Sequence, residues 1–455
     1  MYLLYSFLLT LGVIALLPRF IYDAFHHGKY VAGWRERLGR LPVVETRGRA
    51  VIWLHCVSVG ETQAARPLAR AILRRFPSHA LVVSTITLTG QRVALEVFRD
   101  DAAAVFYFPF DWAWSVRRAL DTINPSAVLI METELWPRFL RECRRRGISV
   151  ALVNGRLSEG SFRRYKLIRG FISRVLAGLD LALMQSETDA ERIRALGLPP
   201  ERVTVSGNIK FDSVAEPADR ALTSELSERF RLQDSRPLVV AASTHAPEER
   251  VVLESFKRLR AAHDDNEPRL LIAPRHPERF AEVAALLDSS GLRWARRSSP
   301  READDPMCDV ILLDTIGELR AVYPLAEIVF VGGSIARTGG HNVLEPAALG
   351  ACIVTGAHTA NFTAIMRAFL EAEALVQLPP VSETNAPPAL ANVLGELLAD
   401  DEQRRVIAER ARAVVEQNRG ATARSIDMLA ELLAHPTDSA GLGEAEAVRR
   451  GALSA

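Results

Sequence analysis

The chain has 455 residues, 48% hydrophobic and 24% charged, with a formal net charge of +1. At one domain per roughly 100–200 residues, that length makes two or three domains with ample core, and the composition excludes a disordered or fibrous chain. The near-neutral charge excludes a global pull toward nucleic acid, so no nucleic-acid partner is expected and any anion binding must come from local patches.

Residues 2–17, YLLYSFLLTLGVIALL, carry no charge. A bilayer core takes about 20 apolar residues, and Phe20, Ile21 and Tyr22 would extend the run past Pro18 and Arg19. A cleaved signal peptide begins with a basic region and ends in small residues; no Lys or Arg precedes this run and no small-x-small site directly follows it. The reading is an uncleaved membrane anchor over 1–22, with a buried first helix or one lying in the interface as the alternative. Arg19, Lys29, Arg35, Arg37 and Arg40 follow it, and the positive-inside tendency then places the body in the cytoplasm. Cys56, Cys143, Cys308 and Cys352 form no CxxC and no metal-ligand spacing, which suits reduced, buried thiols in a cytosolic body.

From residue 50 apolar runs alternate with charged, helix-forming stretches. The runs 50–59, 80–86, 103–108, 126–131, 148–153 and 179–184 read as strands, with helices such as 62–76, 90–99 and 134–146 between them. Continuous apolar strands alternating with helices predict a parallel sheet covered on both faces, a doubly wound α/β domain, here over 35–211. A polar stretch, 212–236, reads as a linker. The pattern restarts with strands at 237–243, 269–274, 309–314, 327–333 and 351–356, followed by a helical stretch from about 384 to 434. A second domain thus spans 237–434, and the tail 435–455, rich in Ala, Gly and Glu, is expected to fray. Two Rossmann-like domains in tandem imply a cleft between them, with ligands outside the carboxyl ends of the strands.

The strand ends carry the candidate chemistry. In HCVSVGETQAA (55–65) Glu61 sits at the first strand–helix turn, either as a base for a sugar hydroxyl or as a first-turn acid that complements the helix dipole. METELWP (131–137) puts Glu132 and Glu134 at another strand end. Arg163, Arg164, Lys166 and Arg169 mix with aromatic and aliphatic residues in 154–176, a stretch suited to an anionic membrane surface or to an ordinary solvated helix. In the second half, Ser243, Thr244 and His245 end one strand and Arg275 and His276 end the next, where an arginine can grip phosphate bidentately. DTIGEL (314–319) offers backbone at Ile316 and Gly317 to a base. GGSIARTGGHNVLEPAALG (332–350) is glycine-rich ahead of a helix expected near Asn342, a ready anion site. Glu345 reads there as a grip on ribose hydroxyls or as the third residue of a capping box opened by Asn342.

These pieces in this order resemble the 3-deoxy-D-manno-octulosonic acid (Kdo) transferase family. The resemblance is carried by the short anchor, GWRERLGR (33–40), HCVSVGET (55–62), STITLTG (84–90), METELWP (131–137), NGRLSEGSFRRY (154–165), QSETDAERIRALG (185–197) and VSGNIKFD (205–212), then by STHAPEE (243–249), APRHPERF (273–280), DTIGEL (314–319), VGGSIARTGGHNVLEPAALG (331–350) and GAHTANF (356–362). Only the tail beyond about residue 420 departs from it. The resemblance implies a GT-B type glycosyltransferase fold, with two Rossmann-like domains facing across a cleft behind an N-terminal anchor helix. It further implies CMP-Kdo as donor, the lipid A precursor lipid IVA as acceptor, the cytoplasmic side of the inner membrane as location, and neither metal nor cofactor. In an inverting transfer Glu61 would be the general base, supported on the acceptor side by Glu132, Glu134, Ser58 and Arg156. Arg275 would bind the leaving phosphate. Gly317, Asn342 and Glu345 would hold CMP, with Pro274, His276, Ile316, Glu318, Gly333 and Ser334 around the donor. A UDP-sugar transferase, a soluble sugar-nucleotide epimerase and a non-catalytic membrane scaffold are the rival readings.

Overall fold

A computed structural model describes residues 1–27, 33–214, 218–232, 236–261 and 267–434. The tail 435–455 expected to fray lies outside the described residues, as do Lys29 and the side chains of Arg19 and Phe20–Tyr22. The chain forms two compact units: residues to Ser213 together with the segment from Arg419 onward, and Val214–Asn418.

The first unit is built on seven parallel strands: β1 (Ala50–His55), β2 (His79–Thr85), β3 (Ala104–Tyr107), β4 (Ala127–Met131), β5 (Ser149–Gly155), β6 (Leu181–Met184) and β7 (Val203–Val205), in the order β3-β2-β1-β4-β5-β6-β7. Alternate side chains leave opposite faces of a strand, and both faces are covered. Trp53 joins Phe106, Phe139 and Leu140 on one side; Ile52 and Leu54 join Leu68, Ile72 and Phe98 on the other. Burying an aliphatic side chain of this kind contributes about 1.5–3 kcal/mol, which is why these runs hold no polar alternation. From β1 the chain runs outward to β2 and β3, then returns to β4 on the other side of β1. That reversal leaves a crevice at the carboxyl ends of β1 and β4.

The second unit repeats the plan with β8 (Leu238–Thr244), β9 (Arg269–Pro274), β10 (Trp294–Arg296), β11 (Val310–Leu312), β12 (Ile328–Val331), β13 (Cys352–Thr355) and β14 (Val376–Gln377), in the order β10-β11-β9-β8-β12-β13-β14. Its reversal falls between β8 and β12.

Two domain boundaries differ from the sequence reading. The expected linker 212–236 contains a helix, Arg220–Phe230, capped by the Asp219 carboxylate and belonging to the second unit. It is no linker because it buries Leu226 and Phe230, and because the Arg229 guanidinium, itself buried, pairs with Asp305 at 2.7 Å. The final helix, Ala421–Ala434, returns to the first unit instead of ending the second. Ile426, Leu429 and Leu433 complete the layer that contains Ile52 and Leu54. The Asp212 carboxylate accepts the N–H groups of Gly420 and Thr422 at 2.7 and 2.6 Å.

The first helix runs Tyr2–His27. Its polar side docks on the unit: the Arg138 guanidinium donates to the Ser6 hydroxyl and the Tyr2 carbonyl, both at 2.8 Å, and the Trp112 indole donates to the Thr10 hydroxyl at 3.2 Å. Leu3, Leu4, Phe7, Leu8, Leu11, Ile14 and Leu16 are exposed on its other side. Among the described residues, no helix is long and apolar enough to cross a membrane. The basic stretch folds into the helices Glu159–Leu167 and Arg169–Leu176. Its Phe162, Tyr165 and Phe171 pack on the core, while Leu167 and Ile168 are exposed.

Candidate active site

In the first unit the turn after β1 feeds the helix Val59–Arg75, with Ser58 as its N-cap. The Ser58 hydroxyl accepts the Glu61 N–H at 3.3 Å and donates to the Glu61 carboxylate at 2.8 Å, while the Val57 N–H donates to the other carboxylate oxygen at 2.9 Å. This is a variant of the capping box, and it fixes the position of a carboxylate that is 7% exposed. Burial pushes the Glu61 pKa up. The Val57 N–H pulls it down, the Glu132 charge pushes it up, and Ser58 and Lys210 pull it down, leaving it above its ordinary value.

Beyond β4, Glu132 adopts a left-handed backbone with φ of 53°, a conformation rare outside glycine. Its carboxylate takes the Lys210 ammonium at 3.0 Å. Glu134 follows, its pKa pushed up to about 7 by burial and then by the negative charges of Glu61 and Glu132. The structure therefore brings Glu61, Glu132 and Glu134 together, with one ammonium to offset them. Arg156 comes to the same loop through its backbone: its N–H donates to the Thr133 hydroxyl at 3.3 Å, and that hydroxyl donates to the Arg156 carbonyl.

Lys210 was not among the candidates from sequence, although VSGNIKFD contains it. It is held by a buried amide network. Asn208 accepts the Lys210 N–H at 3.0 Å and donates to Gln185 at 3.1 Å, and Asn154 accepts the Ile209 N–H at 3.1 Å. The run of amide residues Asn154, Gln185 and Asn208 at three successive strand ends was the available signal.

In the second unit the glycine-rich loop is organised by Glu248, a residue sequence reasoning passed over. Its fully buried carboxylate accepts N–H groups from Gly333 (2.7 Å), Ser334 (2.9 Å), Ile335 (2.8 Å), Ala336 (3.1 Å) and His245 (3.0 Å). Burial pushes its pKa up, against the pull of these N–H groups. The backbone N–H groups of Gly333 and Ser334, two residues expected around the donor, are thus already filled by a carboxylate. Ser334 is buried and its hydroxyl bonds the Val331 carbonyl and the Gly356 N–H. Burying the carboxylate without those donors would cost several kcal/mol, so the nest serves the fold here.

Arg275 and His276 stand exposed after β9, beyond the buried Pro274. His245 and His341 adjoin them. The imidazole Nε2 atoms of that pair are 2.7 Å apart, and the His276 ring lies edge-on to His245 at 5.0 Å between centroids. Ile316 is 82% exposed, and Gly317 has φ of 91°, a value that favours glycine. Glu318 is instead committed to Arg297 at 2.7 Å, which holds its pKa below the usual range despite the burial that opposes this. The helix after the glycine loop begins at Leu344. Asn342 accepts the Leu344 N–H at 3.0 Å and donates to the Glu345 carboxylate at 3.1 Å. Asn342 and Glu345 therefore form a linked pair, though not a reciprocal backbone capping box. Among the described residues no group of three His, Cys, Asp or Glu side chains is placed to hold a metal ion.

Comparison with known proteins separates the rival readings. In fold the chain is similar to an epimerase crystal structure, a UDP-N-acetylglucosamine 2-epimerase from Listeria monocytogenes, with TM-score 0.56 and 14% identity over 85% of this chain and 96% of that one. A glycosyltransferase from Rickettsia africae matches with TM-score 0.54 and 12% identity over 85% and 99%. At such identities these likenesses speak for the fold alone. In sequence, a family model for 3-deoxy-D-manno-octulosonic-acid transferase matches residues 32–213. The 3-deoxy-D-manno-octulosonic acid transferase of Haemophilus influenzae is 35% identical over 378 residues, 83% of this chain and 86% of that protein. The transferase of the same name from Bordetella pertussis is 36% identical over 388 residues, 84% and 88%. The chain belongs to the 3-deoxy-D-manno-octulosonic acid transferase family of glycosyltransferases.

Proposed function

We propose that this Kdo transferase moves Kdo from CMP-Kdo to lipid IVA by an inverting, metal-independent reaction with Glu61 as general base. The observation that carries the reading is the Glu61 carboxylate itself. It is buried at the β1–β4 reversal, fixed by Ser58 and Val57, and held above its ordinary pKa. A carboxylate so placed and so tuned accepts a proton more readily than a solvated one. The acceptor hydroxyl oxygen attacks the anomeric carbon of Kdo and its proton passes to Glu61. The bond from that carbon to the phosphate oxygen breaks, and CMP departs. Arg275 holds the departing phosphate; Gly317, Asn342 and Glu345 hold CMP, with Pro274, His276 and Ile316 around it. Neutralisation by arginine takes the place of a metal ion.

The enzyme acts at the cytoplasmic face of the inner membrane. The exposed leucines of the first helix and the exposed Leu167 and Ile168 beside a basic segment support that location. Deleting 1–27 should move the protein from the membrane pellet to the supernatant, and unchanged pelleting would refute it. The reaction itself is tested by mixing purified protein, lipid IVA and freshly generated CMP-Kdo without added metal and weighing the lipid by mass spectrometry. A gain of one or more Kdo units is expected. No gain beside an active control enzyme would remove this donor–acceptor pair.

A further inference from the structure

The second unit holds a feature that the transfer chemistry above does not use. His245, in the turn after β8, and His341, at the end of the glycine loop, point their Nε2 atoms at each other across 2.7 Å. Their rings are parallel to within 4°, with centroids 4.9 Å apart. That separation is close to the nitrogen–nitrogen distance plus two ring radii, so the contact is a head-on N–H···N bond in the ring plane. Gly333 makes room for it: a Cβ there, at a φ of 68°, would stand 2.8 Å from His341.

One hydrogen serves both nitrogens. The ring that donates it keeps a bare Nδ1, and the other ring carries its hydrogen on Nδ1. The pair is therefore a neutral unit with one basic nitrogen left. Burial, and then His245, Arg275 and His276, push the His341 pKa down to about 4. His245 is lowered by burial, His276, Arg275 and Arg279, against Glu249, which raises it. Of the carboxylates nearby, Glu248 is spent on five backbone N–H groups, and Glu249 is bound by Arg279 at 3.2 Å. The free pair is thus kept neutral mainly by burial and by the positive charges of its own neighbours. An anion held by Arg275 cancels that repulsion.

Building on the donor site proposed above, we infer that the His245–His341 pair takes up a proton when a phosphodiester binds at Arg275 and returns it to the phosphate that leaves. In the reaction the carbon–oxygen bond to phosphate breaks with its electron pair passing to that oxygen. The proton held on the pair transfers to the phosphate, and the pair is neutral again. The acceptor's proton goes separately to Glu61, so the two units each move one proton and the charges balance. A leaving phosphate protonated as it departs is a better leaving group than a bare dianion.

The experiment is titration calorimetry of the full chain with the methyl ester of CMP, a phosphodiester with no titrating phosphate near neutrality. It is run at pH 7 in two buffers of different ionisation enthalpy, since the difference in observed heat counts protons taken up. Wild type should absorb a fraction of a proton approaching one per ligand. His341→Asn and His245→Asn should lose that uptake and lower kcat at least tenfold, while His79→Gln, in the first unit, retains it. Binding without proton uptake, or uptake kept in both pair variants, overturns the inference and leaves the donor site standing. No binding of the ester by wild type removes the donor site and this inference with it. The wild-type measurement needs no variant to fold.

Discussion

Lys210 holds its ammonium 3.0 Å from the Glu132 carboxylate, and both charges act on Glu61. Lys210 pulls the Glu61 pKa down and Glu132 pushes it up. The two partners should therefore move the pH profile in opposite directions. A general base must be ionised to act, so the acid limb of kcat/KM follows its pKa. Lys210→Met should move that limb to higher pH and cut activity on the limb roughly tenfold for each unit moved. Glu132→Gln should move it to lower pH. A profile that shifts the same way in both variants would refute the electrostatic account.

Glu61→Gln tests the base with the least disturbance. The amide oxygen can still accept the Val57 N–H, so the helix start survives, whereas alanine would lose the cap as well as the base. Removal of a general base costs about 10²–10⁴-fold in rate. Transfer should fall by at least that, with CMP affinity within a few-fold of wild type. Arg275→Ala should weaken both CMP-Kdo binding and turnover, so the pair of variants separates proton removal from phosphate binding. Turnover by Glu61→Gln near the wild-type rate would exclude the base assignment.

The parallel sheets were legible because β1, β4, β5 and β8 are continuous apolar runs, which only a sheet covered on both faces explains. β7, β10 and β14, of two or three residues each, are too short to show a period. The places of Glu61, at the helix start after β1, and of Arg275, directly after β9, were legible from the strand ends, where such folds bind ligands. Lys210 was not: its partner lies 78 residues away in the chain, and nothing local reports a contact that the sheet order creates. Glu248 stands in the first turn of a helix, and its role comes from a loop that begins 85 residues later. The last helix was visible as a helix, but an amphipathic pattern says that a face is covered, not by which sheet.

Glu134 links the site to stability. Its folded-state pKa of about 7 lies above the ordinary carboxylate value. Between about pH 4.5 and 7 the folded chain therefore binds a proton that the unfolded chain has lost, and stability falls as pH rises through that window. Glu134→Gln removes the cost of ionising it. The variant should match wild type near pH 4 and melt higher at pH 8, by an amount worth about 1–2 kcal/mol once solvent access is allowed for. Equal melting temperatures at pH 8 would show that the carboxylate is solvated.

Asp212 ties the last helix to the first unit. Its carboxylate takes the N–H groups of Gly420 and Thr422, which lack helical acceptors at a helix start. Loss of such a cap costs about 0.5–2 kcal/mol. Asp212→Ala should therefore speed amide exchange throughout Ala421–Ala434, while the strands β8 and β9 of the second unit keep their protection. Unchanged exchange in that helix would refute the tie. Faster exchange confined to 421–434 and its neighbours around Leu68 and Ile72 is the expected pattern, since Leu429 and Leu433 cover those side chains.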